Sequence, residues 1–70
     1  MNALRKRSLA LAGHATSLAL EPEFWAVLEA AARARQTSLA SLIASIDSSR
    51  GSRGLASACR LAALDYVRGS

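Results

Sequence analysis

Residues 17–25 read Ser-Leu-Ala-Leu-Glu-Pro-Glu-Phe-Trp, and this junction decides the fold that the sequence predicts. Residues 15–20 place Leu18 and Leu20 on the same side of an alternating pattern, which is typical of a β-strand with one buried face. Pro22 lacks an amide hydrogen and has a φ angle suited to the first turn of a helix. Because proline favours extended geometry in the residue before it, the junction predicts a strand ending near Leu20 and a helix beginning at Pro22.

The segment before the junction predicts a second strand. Residues 8–12 alternate, and a Gly13-His14 turn follows them, so residues 8–20 are expected to form a β-ribbon. A short helix over residues 3–12 is a rival interpretation, because Ala and Leu also favour helices.

Residues 1–7 form a basic start to the chain, with cations at Arg5, Lys6 and Arg7. The whole chain has a net charge of +4 at pH 7, and most of its nine basic residues are arginines. Arginine suits bidentate phosphate contacts, so the composition is compatible with nucleic-acid binding. We expect a mobile basic arm that contacts phosphates; a solvated tail without such contacts is the alternative.

Three helices are expected after the ribbon, at residues 22–35, 38–49 and 55–68. Apolar residues recur at helical spacing in each of them, and Thr37 or Ser38 is expected to cap the second. The predicted buried stripes contain Phe24, Val27, Leu28 and Ala31 in the first helix, Leu39, Leu42, Ile43 and Ile46 in the second, and Leu55, Ala58, Cys59, Ala62 and Tyr66 in the third.

The length of the chain allows a single domain over residues 1–70 with a modest core. Cys59 is the only cysteine, so an intrachain disulfide cannot add stability. Leu61 and Leu64 widen the apolar surface of the third helix beyond what one neighbouring helix covers. The sequence therefore predicts a homodimer or a higher homo-oligomer, without distinguishing dimer from tetramer.

Composition also argues against several functional classes. A single cysteine favours a reducing compartment. No apolar stretch approaches the ~18 residues of a membrane span, and the apolar run after the basic start is too short for a convincing signal peptide. A cytoplasmic location is therefore expected. His14 is the only histidine and has no set of metal-ligating neighbours in the sequence. Residues 48–54 lack the spacing of a phosphate-binding loop. We expect no enzymatic activity, no cofactor, no metal site and no small-molecule substrate.

The junction and the helices resemble the ribbon-helix-helix superfamily, that of the Arc and MetJ repressors. The similarity is closer to a compact bacterial subfamily of ribbon-helix-helix domain proteins and covers nearly the whole chain. The motifs that carry it are Arg7-Ser8, Gly13-His14, Thr16-Ser17, Leu20 to Trp25, Ser38-Leu39, Ile46-Asp47, and Ala58-Cys-Arg-Leu61 with Tyr66-Val-Arg68. The predicted fold class is thus mainly α with a short N-terminal strand or hairpin: one or two strands and two to three helices.

The resemblance implies an intertwined dimer, in which strands of two chains pair as an antiparallel ribbon above interlocked helices. In the DNA-binding members the outer face of the ribbon reads base edges in the major groove, and helix N-termini bind phosphates. The expected nucleic-acid contacts are Arg5, Lys6, Arg7, Ser8 and Ser17. The expected dimer core contains Leu18, Leu20, Phe24, Trp25, Leu28, Leu39 and Ile43.

The outer strand face departs from that pattern. It offers Ser17 between Ala15 and Ala19, whereas bidentate contacts to bases need longer polar side chains such as Arg, Lys, Asn or Gln. Two hypotheses follow. The first is a DNA-binding transcriptional regulator that acts as a dimer on double-stranded DNA. The alternative is a dimerisation or protein-interaction module that kept the fold without sequence-specific readout.

Overall fold

The computed structural model describes residues 3–69, in which a β-hairpin precedes three helices. The elements in chain order are β1 (Arg5–Leu11), β2 (His14–Leu20), α1 (Pro22–Ala34), α2 (Leu39–Ser49) and α3 (Leu55–Gly69). This arrangement confirms the predicted fold class. Residues 1 and 2 of the expected arm and residue 70 of the expected domain lie outside the described residues.

The hairpin turn differs from the prediction by one residue. Ala12 and Gly13 form the turn, with φ angles of 52° and 83°. Positive φ at both central residues is what a two-residue type I′ turn requires. His14 already belongs to β2, so the predicted Gly13-His14 turn is wrong by one position. In the sequence only Gly13 indicates this geometry, because alanine is unusual at the first central position of a type I′ turn.

The start of the ribbon also differs from the prediction. β1 begins at Arg5, so Arg5, Lys6 and Arg7 belong to a strand and not to a mobile arm. The rival helix over residues 3–12 is wrong, although its composition suits a helix. Pairing with β2 prevails because it turns the apolar side chains of β1 onto the helices.

Helix α1 begins at Pro22, as predicted, and ends at Ala34. The chain reverses there because Gln36 adopts a left-handed conformation, with φ 55°. The amide of Thr37 donates a hydrogen bond to the carbonyl of Ala32 at 3.0 Å. These features define a Schellman motif, which ends the helix without the usual glycine.

The second and third helices lie close to their predicted bounds. The Ser38 hydroxyl accepts a hydrogen bond from the Ser41 amide at 3.0 Å, so Ser38, not Thr37, caps α2. Helix α2 ends at Ser49 as predicted, and α3 runs to Gly69, one residue further than expected.

The core lies between the inner face of the ribbon and the helices. Helix α2 packs under β1, α3 packs under β2, and α1 packs chiefly on α3. Most predicted stripe residues are confirmed in the core, but Trp25 and Ala63 are more deeply buried than the predicted Phe24 and Ala62. The buried apolar side chains are Leu11, Leu18, Leu20, Trp25, Leu28, Ala31, Ala32, Leu42, Ile43, Ala58, Cys59 and Ala63.

The wide apolar surface predicted for α3 is present on its solvent side. Leu61 and Leu64 are 45% and 43% exposed, and Val67 is 58% exposed. These residues follow one another at three-residue spacing, so they share one side of the helix.

A single chain forms both strands of the ribbon and closes its own core. The accessible surface of the chain is 4627 Å². A folded monomer of 7.3 kDa is expected to expose roughly 4,200 Å². The two values are close, as expected for a chain that buries a core of its own. The intertwined dimer, in which strands of two chains form the ribbon, stays a prediction.

Candidate nucleic-acid interface

The outer face of the ribbon brings small and polar side chains together. Alternation along each strand places Lys6, Ser8 and Ala10 on the same face as Ala15, Ser17 and Ala19. Ser8 lies directly opposite Ser17, and Lys6 lies opposite Ala19. All of these residues are exposed except Ala19, which is half-buried.

The chemistry of this face suits contact with a phosphate backbone more than base readout. Lys6 is a point charge on a flexible stem, and the Ser8 and Ser17 hydroxyls both donate and accept hydrogen bonds. Such groups position a protein on a duplex but distinguish base pairs poorly. The face therefore offers one cation and two hydroxyls within a patch that is otherwise alanine.

Arg5 and Arg7 belong to the opposite face of β1 from Lys6. The Arg7 guanidinium donates to a Glu29 carboxylate oxygen at 3.1 Å, and its central carbon lies 4.7 Å from the centre of the Trp25 ring. The Arg5 carbonyl accepts a hydrogen bond from the Trp25 indole nitrogen at 2.9 Å. Of the five predicted nucleic-acid contacts, Lys6, Ser8 and Ser17 thus share the outer face, whereas Arg5 and Arg7 do not.

The strand-to-helix junction is attached to α3 by an ion pair. The Arg60 side chain donates to a Glu21 carboxylate oxygen at 2.9 Å. This hydrogen bond lowers the pKa of Glu21 below its ordinary value. The Arg60 guanidinium also lies 5.8 Å from the centre of the Phe24 ring, within cation–π range. Arg60 therefore links the start of α1 to α3.

The residues predicted for a dimer core lie in or against the core of the single chain. Leu18, Leu20, Trp25, Leu28 and Ile43 are buried there. The other two, Phe24 and Leu39, are half-buried and pack against the same core. Their assignment to an interface between chains therefore stays a prediction.

Sequence reasoning missed Glu29 and Arg60, which form ion pairs with Arg7 in the ribbon and Glu21 in the junction. Glu29 is 22 residues from Arg7, and Arg60 is 39 residues from Glu21. No local pattern links such distant positions. The one available signal was the position of Arg60. It follows Cys59 on the apolar side of α3, where a charged side chain is expected to pair with an opposite charge.

The two reactive side chains that the sequence offers are separate from one another. His14 is exposed at the start of β2, and Cys59 is fully buried in α3. Burial raises the pKa of the Cys59 thiol to about 11; the Asp47 carboxylate adds to the increase and Arg60 opposes it. Within residues 3–69, no cluster of three or more His, Cys, Asp or Glu side chains could hold a metal ion.

No helix in the described part of the chain is both long enough and apolar enough to cross a membrane.

Searches of curated proteins and of solved structures find no match. A family model described as a ribbon-helix-helix domain matches residues 4–67. Domains of this family generally dimerise and bind DNA, and they are typically not enzymes. Because the match includes both strands and nearly all of the three helices, the chain belongs to the ribbon-helix-helix domain family.

Proposed function

We propose that this protein is a bacterial, cytoplasmic transcriptional regulator that binds double-stranded DNA as a homodimer. The observation that supports it is the outer face of the ribbon in a ribbon-helix-helix domain, where Lys6, Ser8 and Ser17 lie together and exposed. In addition, the net charge of +4 favours the approach of the protein to a polyanion such as DNA.

The binding mode follows from the side chains on that face. Lys6 would neutralise a phosphate, while Ser8 and Ser17 would hydrogen bond to phosphate or sugar oxygens. The small alanines beside them would allow the ribbon backbone to approach the groove closely. Affinity would come mainly from counterion release and would fall steeply with salt. Specificity would come mainly from DNA shape, because the face has few base-reading groups.

A titration of fluorescent duplex DNA at several salt concentrations tests the proposal. We expect binding at low salt, and for Lys6→Ala a slope of log affinity against log salt that is smaller by about 0.9 for each chain that contacts DNA. Arg33→Ala is the matched control, because Arg33 is an exposed cation in the last turn of α1. Absence of binding at low salt by a folded protein would refute the proposal.

The alternative function is a dimerisation or protein-interaction module without DNA readout. The observation that favours it is the small-residue patch of Ala10, Ala15 and Ala19, which another protein layer could approach closely. In that case Ser17→Arg would disrupt an oligomer measurable by analytical ultracentrifugation. For the DNA-binding proposal the same substitution adds a phosphate-binding cation and strengthens DNA binding. The two functions therefore predict different effects of Ser17→Arg: loss of an oligomer in one case and stronger DNA binding in the other.

A further inference from the structure

A groove of about 410 Å³ lies beside the first half of β1. Its described lining contains Arg5, Lys6 and Arg7 on the strand side and Pro22, Trp25, Ala26 and Glu29 on the α1 side. That lining includes no residue of β2. The groove therefore lies along the edge of β1 that faces away from its hairpin partner.

The backbone of β1 offers unpaired hydrogen-bonding groups to this groove. In a two-residue hairpin the residues that flank the turn, Leu11 and His14, form a hydrogen-bonded pair, and such pairs then alternate along the ladder. By this alternation the amide and carbonyl groups of Lys6 and Ser8 point away from β2. An open strand edge of this kind readily accepts a further strand.

The charges around the groove favour an anionic occupant. The Arg7 guanidinium is paired with Glu29 at 3.1 Å and lies over the Trp25 ring. Arg5 and Lys6 have no ion pair among residues 3–69. These two cations extend to opposite faces of the strand, so they flank the open edge on both sides.

We propose that this groove binds an acidic peptide in extended conformation, which pairs with β1 as a third strand. Backbone hydrogen bonds to Lys6 and Ser8 hold the peptide, and carboxylates on its two faces meet Arg5 and Lys6. Antiparallel pairing with β1 of a second copy, in the registers centred on residues 5–7, would place like charges opposite one another, which is destabilising, whereas an acidic peptide meets the same cations with opposite charge. This site shares Lys6 with the outer ribbon face proposed for DNA, but its α1 wall lies outside that face.

The fluorescence of Trp25, the only tryptophan, provides the assay. The probe is a blocked eight-residue peptide of sequence Glu-Glu-Thr-Thr-Glu-Glu-Thr-Thr, which places glutamates on both faces of an extended strand and is titrated in about 50 mM salt. We expect a dissociation constant below about 1 mM. The same peptide with lysine in place of glutamate should not bind. Failure of the acidic peptide to bind the folded protein would overturn the proposal.

Substitutions in the groove wall separate this site from DNA binding. Ala26 is exposed in the groove, so Ala26→Glu adds a carboxylate there and should weaken peptide binding on the order of tenfold, equivalent to about 1.4 kcal/mol. Ala34→Glu is the matched control, an exposed alanine of α1 outside the groove, and should bind like the wild type. If Ala26→Glu does not fold, Arg5→Glu replaces it with the same expected loss. Unchanged peptide affinity in the folded groove variant contradicts the proposal.

Amide hydrogen exchange identifies the binding mode. Bound peptide should slow exchange at the Lys6 and Ser8 amides, while the Arg7 amide, already paired with β2, should change little. Unchanged exchange at Lys6 and Ser8 would overturn the third-strand model. If the wild type and Ala26→Glu bind duplex DNA equally well but neither binds the acidic peptide, the DNA proposal is unaffected and the peptide proposal is refuted.

Discussion

The strand-to-helix junction and the outer ribbon face share strand β2 but have opposite environments. In the junction Leu20 is fully buried, the Glu21 carboxylate is paired with Arg60, and Trp25 is only 4% exposed. On the outer face, Ser17 is exposed between Ala15 and Ala19 on its own strand side and lies opposite Ser8. Alternate residues of one strand thus have different environments: Leu18 and Leu20 are buried in the core, and Ser17 is exposed on the outer face.

Trp25→Ala should have the largest effect on stability and tests the junction side of the contrast. The substitution removes a buried ring, its hydrogen bond to the Arg5 carbonyl and its stack with Arg7. We expect a loss of ~3–5 kcal/mol in the free energy of unfolding, measured by urea denaturation. Such a loss removes much of the stability of a chain this short.

Trp25→Phe is the control for the ring itself. It keeps most of the apolar surface but leaves the Arg5 carbonyl without its indole donor, which should cost about 1 kcal/mol. A folded Trp25→Ala protein as stable as the wild type would show that the junction does not anchor the fold.

Gly13→Ala should have the next largest effect. Gly13 has φ 83°, and an added methyl group meets no neighbouring atom, so the cost would come from the backbone conformation alone. We expect a loss of roughly 1–2 kcal/mol by thermal or urea denaturation. Ala12→Asn should act in the opposite direction, because asparagine tolerates the left-handed conformation at φ 52° better than alanine. If Gly13→Ala and Ala12→Asn were both as stable as the wild type, the result would contradict the type I′ turn.

The buried Cys59 thiol predicts a dependence of stability on alkaline pH. Its pKa in the folded protein is raised from 9.0 to about 11. Between these pH values the unfolded chain loses the thiol proton and the folded chain keeps it, so stability falls as pH rises. Cys59→Ala should fall less steeply over this interval in urea titrations. Parallel pH profiles for the two proteins would argue against a buried neutral thiol.

Ser17→Ala and Ser8→Ala should have the smallest effect on stability, within about 0.5 kcal/mol of the wild type. Both hydroxyls are exposed on the outer face and belong to no buried network. Circular dichroism melts measure the stability, and the DNA titration measures the function. A loss of several kcal/mol in either variant would mean that another layer covers this face, which would favour the protein-interaction alternative.

Local patterns in the sequence determined the element types and several of their ends. Pro22 started α1 as predicted, because a fixed φ and a missing amide hydrogen act on the residue itself. Ser38 capped α2 through the amide of Ser41, three residues away. The alternation at Leu18 and Leu20 identified the buried face of β2. Each of these features depends on interactions within a few residues.

Tertiary structure decided which distant residues meet. Only the folded chain pairs Arg7 with Glu29 and Glu21 with Arg60, and only the hairpin converts the expected basic arm into strand β1. Helix propensity in residues 3–12 was overridden because pairing with β2 satisfies the backbone and buries Leu11 against the helices. Such contacts depend on packing across the whole domain, which no local run of residues records.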